Sequence, residues 1–126
     1  MKEFEMVMPK KWFRLEKEFT TYFNRKLKDK WFFVHKLSDG WLGSKPYDCI
    51  IRTNIATYHT EIKVIDKENF YIKQLRSNQR KALRLVTELW WVGLIVIYSK
   101  HFNKHKVFTF EKIKDIWPWD YIKLLF

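Results

Sequence analysis

Few residues in this sequence break regular structure or cross-link it. Three glycines and three prolines in 126 residues leave little for long linkers or low-complexity segments. The single cysteine, Cys49, excludes an intrachain disulfide and a cysteine-rich zinc module. The longest apolar run, residues 89–98, is too short to cross a bilayer, and the amino terminus lacks a signal-peptide pattern. We therefore expect a soluble intracellular protein of the cytoplasm or nucleoid, encoded by a cell, a phage or a virus.

Acidic residues are scarce relative to basic ones. The chain has 14 Asp and Glu against 25 Lys and Arg, which gives a formal charge of +11 at pH 7. This excess predicts a polyanionic partner and salt-sensitive association, and nucleic acid fits it better than an anionic membrane surface. Apolar residues make up 47% of the chain, which excludes intrinsic disorder. The length predicts one domain that spans residues 1–126.

Hydrophobic periodicity predicts the element order α-β-β-β-α-β. Apolar residues recur at spacings of three and four over residues 9–27, and again from Ser77 to Trp90, where Leu89 and Trp90 belong to the predicted inward stripe. The strands are predicted at residues 31–37, 47–53, 56–65 and 93–98, with an edge strand at 107–110. The aromatic carboxyl end is interpreted as a hydrophobic lid on the core, or alternatively as a dimer interface.

Three charged residues, Asp48, Glu61 and Lys63, lie on these apolar strands. Side chains alternate across a strand, so Glu61 and Lys63 project from one face and Ile62 from the other. A hairpin between the second and third strands brings Asp48 and Glu61 side by side. The alternative interpretation is a cross-strand ion pair with a solvated neighbour.

Two carboxylates beside a lysine suit the hydrolysis of a phosphodiester. Asp48, Glu61, the backbone carbonyl of Ile62 and water would form a hard oxygen site for Mg²⁺, with Mn²⁺ able to replace it. Lys63 would position or polarise the attacking water, or hold the scissile phosphate.

Glu16 and Gln79 also break the apolar pattern. Glu16 follows Trp12 by four residues and precedes Phe19 by three, which places it within the predicted inward stripe of the first helix. The alternative is a carboxylate at the rim of that helix. Gln79 falls on the inward face of the second helix. It would touch the metal shell or the phosphate, or serve as a core amide that hydrogen-bonds the backbone.

At these residues the sequence resembles the PD-(D/E)XK nuclease superfamily, and within it the archaeal type of Holliday-junction resolvase. The resemblance rests on Leu15-Glu16-Lys17-Glu18-Phe19, on Gly43-Ser44-Lys45-Pro46-Tyr47-Asp48 and on Glu61-Ile62-Lys63-Val64. It implies a restriction-endonuclease-like α/β fold with a mixed central sheet flanked by helices. It also implies a catalytic, metal-binding role for Glu16, a place for Ser44 near the phosphate, Mg²⁺-dependent cleavage and a homodimer that acts on branched DNA.

Further basic residues form a predicted DNA track. Three arginines of the second helix recur every four residues, a spacing that is otherwise typical of a solvated helix face. Combined with the net charge and other cations, they are interpreted as phosphate contacts. The predicted DNA-binding set is Ser44, Lys45, Arg52, Lys73, Arg76, Arg80 and Arg84.

The sequence thus predicts a Mg²⁺-dependent endodeoxyribonuclease for four-way junctions, in which Glu16, Asp48 and Glu61 bind metal and Lys63 assists the attacking water. Two alternatives stay open. The first is a nicking or repair nuclease that acts on other structured DNA, because one fold supports several substrates. The second is a non-catalytic nucleic-acid-binding module with the same fold.

Overall fold

The computed structural model describes residues 2–10, 13–37 and 45–124. Ser44 and Trp12 lie outside these ranges, so the predictions made for them concern undescribed residues. The helices are α1 (Glu16–Asp29), α2 (Ser77–Glu88) and α3 (Phe110–Ile113). The strands are β1 (Phe33–Lys36), β2 (Cys49–Arg52), β3 (Thr57–Ile65), β4 (Asn69–Tyr71), β5 (Val92–Ser99), β6 (Lys104–Thr109) and β7 (Tyr121–Lys123). Short 3₁₀ turns span Lys2–Phe4 and Ile72–Gln74.

A mixed five-stranded sheet of order β1-β2-β3-β5-β6 forms the centre of the molecule. Strand β3 pairs antiparallel with β2 and parallel with β5, and the two outer pairs are antiparallel. Strands β1, β3 and β5 therefore run in the same direction. The predicted order α-β-β-β-α-β and the α/β class are confirmed once the short β4 is set aside.

Helices cover the two faces of the sheet, and β5 contributes to both core layers because its side chains alternate. On the α1 face, Phe19, Phe23 and Leu27 pack with Leu94, Val96 and Tyr98. On the other face, Leu83 of α2 and Phe110 of α3 pack with Ile95 and Ile97. Each of these fully buried side chains contributes about 1.5–3 kcal/mol to stability.

Helix α1 starts at Glu16, later than its apolar periodicity predicts. The segment before it is held by tertiary hydrogen bonds: Asn103 Nδ2 donates to Pro9 O at 2.9 Å, and Phe13 N donates to Tyr98 Oη at 3.2 Å. These contacts override the local helical pattern. Glu16 is consequently the first helical residue and is exposed, and its predicted place in the inward stripe is wrong.

Helix α2 ends at Glu88. The prediction that Leu89 and Trp90 belong to its inward stripe is therefore wrong. Leu89 caps the helix and Trp90 follows with a φ of 65°, in the left-handed conformation. Trp90 is 95% exposed as a result. No helix in the described part of the chain is both long and apolar enough to span a bilayer.

The carboxyl-terminal segment forms structure that the sequence did not predict. Strand β7 pairs antiparallel with β4 in a separate two-stranded sheet. Leu124 is buried in the core beside α2, and Ile122 packs against the same cluster, so the predicted hydrophobic lid is confirmed for both. Trp117 and Trp119 are exposed by 70% and 73%, and the lid prediction is wrong for them.

Candidate active site

Asp48 and Glu61 meet at the point where β2 begins. Cys49 pairs with Thr60, so the residue before Cys49 lies opposite Glu61. The Asp48 N–H donates to Thr60 O at 2.9 Å, and the Ile62 N–H donates to Asp48 Oδ2 at 2.6 Å. The Asp48 and Glu61 carboxyl groups lie close enough to each other to share a hydrogen bond. The side chain of Asp48 thus continues the β2–β3 pairing, which holds both acids in register.

The two acids differ in protonation. Burial raises the pKa of Glu61 to about 9, and the hydrogen bond to Asp48 and the charge of Asp48 add to this rise. Burial opposes ionisation of Asp48 too, but hydrogen bonds from the Glu61 carboxyl and the Ile62 N–H, together with Lys45, lower its pKa overall. Lys45 Nζ lies 3.2 Å from Asp48 Oδ1. At neutral pH the pair therefore shares one proton and carries one negative charge.

One carboxyl oxygen of Glu61 is buried and receives no hydrogen bond from the described part of the chain. Glu61 is 2% exposed, and its Oε2 has no hydrogen-bond partner among the described residues. Leaving a buried polar atom unpaired costs about 1–3 kcal/mol. In an extended strand the carbonyl of Ile62 points to the same side of β3 as its N–H, which is the side of Asp48, just before β2 begins. These oxygens fit a hard divalent cation, which binds carboxylate and backbone oxygens.

Glu16 stands near this pair without joining it. It lines a cleft of about 270 Å³ together with Asp48 and Lys45. Glu16 is exposed as a residue, but partial burial of its carboxyl in this cleft and the charge of Asp48 raise its pKa, while Lys63, Lys45 and Arg76 act in the opposite direction. Within the described ranges, no group of three Asp, Glu, His or Cys side chains is placed to hold one metal ion. The assignment of Glu16 as a metal ligand stays a prediction.

Lys63 projects from the same face of β3 as Glu61, as the alternation predicts, and is partly exposed. The pKa values of Glu16 and Glu61 are raised overall, and the positive charge of Lys63 opposes that rise in both. The ammonium group is therefore within electrostatic range of Glu16 and Glu61, and its role in chemistry stays a prediction.

Gln79 is buried, as its place in the helix pattern predicts. Its Oε1 accepts a hydrogen bond from the Arg76 N–H at 2.9 Å, which caps the first turn of α2. This favours the interpretation as a core amide. A contact of Gln79 with metal or phosphate stays a prediction.

Asn24 is a residue of the cleft that sequence reasoning missed. It lines the same cleft as Glu16 and Asp48 and is 5% exposed, yet neither Oδ1 nor Nδ2 has a partner in the described part of the chain. The sequence carried a signal, because Asn24 follows the buried Phe23 and precedes the buried Leu27 by three residues. A polar residue within a buried helix stripe is often functional.

Asn24→Leu is expected to raise the free energy of unfolding by about 1–3 kcal/mol, because leucine has a similar shape and carries no polar group to leave unpaired. Urea unfolding measures the change. Asn78→Leu, at an exposed position of α2, is the matched control and should change stability by less than about 0.5 kcal/mol. A less stable Asn24→Leu protein would contradict the assignment of an unsatisfied amide.

The predicted DNA-binding residues differ in exposure and in the contacts that they make. Arg76 is exposed and lies close enough to Glu16 to act on its charge, and Arg80 is partly exposed. Arg84 Nη2 donates to Lys114 O at 2.7 Å, which gives it a structural contact. Lys73 Nζ lies 5.6 Å from the ring centres of Tyr71 and Trp119. Arg52 is exposed on β2, on the same face of the sheet as Asp48. Binding of DNA by any of them stays a prediction.

Comparison with known proteins bears on the fold. No protein-family model and no curated protein sequence matches this chain. Among solved structures, the chain is similar to a Holliday junction resolvase of the archaeal hyperthermophile Archaeoglobus fulgidus. The TM-score is 0.64 at 12% sequence identity, and the match covers 84% of this chain and 85% of the resolvase chain. The chain therefore has the mixed α/β fold of that resolvase.

Proposed function

We propose that the chain is a Mg²⁺-dependent, structure-selective DNA endonuclease of the PD-(D/E)XK superfamily, which resolves Holliday junctions. The observation that carries the proposal is the contact between Asp48 and Glu61, with a buried Glu61 oxygen left unpaired and Lys63 beside it. The resolvase-like fold and the net charge of +11 support the same conclusion.

Asp48, Glu61 and the Ile62 carbonyl would hold the metal. Mg²⁺ usually binds through one or two carboxylates and keeps several waters for substrate oxygens, so the absence of a three-residue ligand group in the described ranges is compatible with it. When bound, the ion supplies Lewis-acid stabilisation of charge on the phosphate and lowers the pKa of water. Mn²⁺ is expected to replace Mg²⁺ because it accepts the same oxygen ligands.

The residues around the pair have separate tasks. The Lys63 ammonium would orient the attacking water or hold a non-bridging phosphate oxygen. Glu16 would contribute to the metal site through a water at the mouth of the cleft, and desolvation together with the charge of Asp48 raises the pKa of its carboxyl. The Asn24 amide, which faces the same cleft, would donate to a phosphate oxygen or a water. Lys45 would move from Asp48 to the phosphate once a cation neutralises that carboxylate.

The proposed substrate is a four-way DNA junction, cut by a homodimer whose two active sites nick opposed strands. The A. fulgidus protein is a Holliday junction resolvase, and this chain matches most of its length. The basic residues at the amino end of α2, Arg76 and Arg80, would hold the phosphate backbone on the side of the acids.

A cleavage assay tests the proposal. With Mg²⁺ the protein is expected to cut a mobile four-way junction by paired symmetric nicks, and EDTA or Ca²⁺ should stop cleavage while junction binding persists. Binding should weaken by at least about tenfold between low and physiological salt because counterions are released from the phosphates. Equal cleavage of flap, duplex and single-stranded DNA would indicate the broader nuclease. Binding of DNA without cleavage in Mg²⁺ or Mn²⁺ would indicate the non-catalytic module.

A further inference from the structure

A second concave surface lies on the same sheet face as the acids. This aromatic groove has a volume of about 660 Å³, and its lining includes Phe33, Arg52, Thr57, His59, Trp90 and Trp91. His59 lies two residues before Glu61 on β3, so the two side chains project from one face about 7 Å apart. The aromatic groove therefore lies next to the acid pair along β3.

The lining of the groove combines flat rings with positive charge. Phe33, Trp90 and Trp91 are exposed by 60%, 95% and 55%. Arg52 pairs with Thr57 across β2 and β3 at the far end of the groove. None of the lining residues that the structure describes is a carboxylate. The groove is thus complementary to a ligand that carries aromatic rings on an anionic backbone.

The rings at the centre of the groove are held in place. The His59 and Trp91 rings are stacked, with centres 5.2 Å apart and planes 10° from parallel. His59 Nδ1 is hydrogen-bonded to Tyr47 Oη at 2.7 Å, and Tyr47 directly precedes Asp48. This series of contacts joins the aromatic groove to the acid pair, so a ligand in one is positioned relative to the other.

Trp90 has a backbone conformation that glycine adopts most readily. Its φ of 65° is left-handed, and it follows the cap of α2 in the position where glycine commonly ends a helix. The tryptophan ring gains little from packing in return, because it is almost fully exposed at the edge of the groove. A large ring at such a position is available to an external partner.

We infer that the aromatic groove binds unpaired nucleobases of a DNA strand next to the cleavage site, by stacking on Trp90 and Trp91 with Arg52 on the backbone phosphate. Aromatic side chains stack on any base and so provide affinity without sequence preference. This inference rests on the proposed function and deepens it. It assigns to a surface beside the acids those bases that become unpaired at the crossover when the protein binds.

Trp90→Gly tests the inference without strain, because glycine suits a φ of 65°. Trp31→Gly is the matched control: Trp31 has a φ of 66°, is 95% exposed and follows the end of α1, but it does not line the groove. The probes are a fluorescent oligo(dT) and an abasic oligodeoxynucleotide of the same length, titrated in EDTA. The abasic strand carries the same phosphates and no bases.

We expect the parent protein to prefer oligo(dT) over the abasic strand, and Trp90→Gly to weaken oligo(dT) binding by about 5- to 100-fold with little change for the abasic strand. Trp31→Gly should match the parent protein. Equal binding of both probes by the parent protein, or equal losses in the two variants, would overturn the inference. So would a Trp90→Gly protein that binds oligo(dT) normally but sediments as a smaller oligomer, because the groove would then hold a second copy of the chain.

These measurements need no metal and no cleavage, so they are independent of the assay for endonuclease activity. Symmetric junction cleavage without any preference for bases would remove this inference and leave the proposed function intact. A preference for oligo(dT) over the abasic strand in a protein that never cleaves would leave this inference intact and remove the proposed function.

Discussion

Glu61→Gln is expected to lose at least about 10³-fold in Mg²⁺-dependent junction cleavage while the protein stays at least as stable as its parent. The loss follows from the site, because an amide cannot supply the negative charge that the cation requires and the ion contributes several kcal/mol of charge stabilisation. Single-turnover cleavage of a labelled junction measures the rate. Junction binding in Ca²⁺ or EDTA should change much less than cleavage.

Stability should be retained because Glu61 is already protonated at neutral pH. Its folded pKa of about 9 lies above the ordinary value of 4.5, so the stability it contributes is present below about pH 4.5 and is lost as the pH rises through about 9. Glutamine resembles the protonated acid and can donate the same hydrogen bond to Asp48. The variant should therefore unfold at the same temperature as the parent protein or a higher one at pH 7, and its advantage should grow up to about pH 9.

Glu88→Gln is the matched control for this experiment. Glu88 is exposed at the end of α2, away from the acid pair, and its replacement should leave both cleavage and stability unchanged. A Glu61→Gln protein that cuts the junction at the parent rate would refute the site assignment. One that is unstable even at acidic pH would refute the shared proton.

The affinity for Mg²⁺ is expected to rise by about tenfold per pH unit between about pH 6 and pH 8, and binding should release close to one proton. The reason is that the cation competes with the proton that Asp48 and Glu61 share. Calorimetric titration in buffers of different ionisation enthalpy counts the released protons.

The control for this pH dependence is Asp48→Asn, which removes the negative charge that helps to raise the pKa of Glu61. We expect it to weaken Mg²⁺ binding and to move the remaining proton release to lower pH. An affinity that is constant from about pH 6 to pH 8 in the parent protein would show that Glu61 is ionised before metal binds, contrary to its burial beside Asp48.

Local sequence patterns were sufficient to predict that Asp48 and Glu61 lie side by side. Alternation along β3 predicted that Glu61 and Lys63 share a face, and the hairpin spacing predicted that Asp48 lies beside Glu61. Both features depend on neighbours along the chain or on one strand pair, which is the range over which periodicity is informative. Gln79 was predicted to point inward for the same reason, although its contact with the Arg76 N–H depends on where α2 begins.

Local sequence patterns did not predict where the helices begin and end, or which aromatic side chains are exposed. The periodicity of residues 9–27 suggested an early helix start, but hydrogen bonds to Asn103 and Tyr98, far along the chain, keep that segment extended and leave Glu16 at the first turn. Trp90 fits the apolar spacing of α2, and only the left-handed turn after Glu88 directs it outward.

The amino-acid sequence by itself determined the α/β order, the basic net charge and the shared strand face of Glu61 and Lys63, because these follow from composition and from periods of two and 3.6 residues. The predicted strand position of Asp48 is wrong by one residue, because β2 begins at Cys49. Only the tertiary structure decided that Asn24 joins the cleft, that one Glu61 oxygen is left unpaired and that Trp90, Trp91, His59 and Arg52 form one groove. Those features bring together residues from separate elements, and their distances depend on how the helices pack on the sheet.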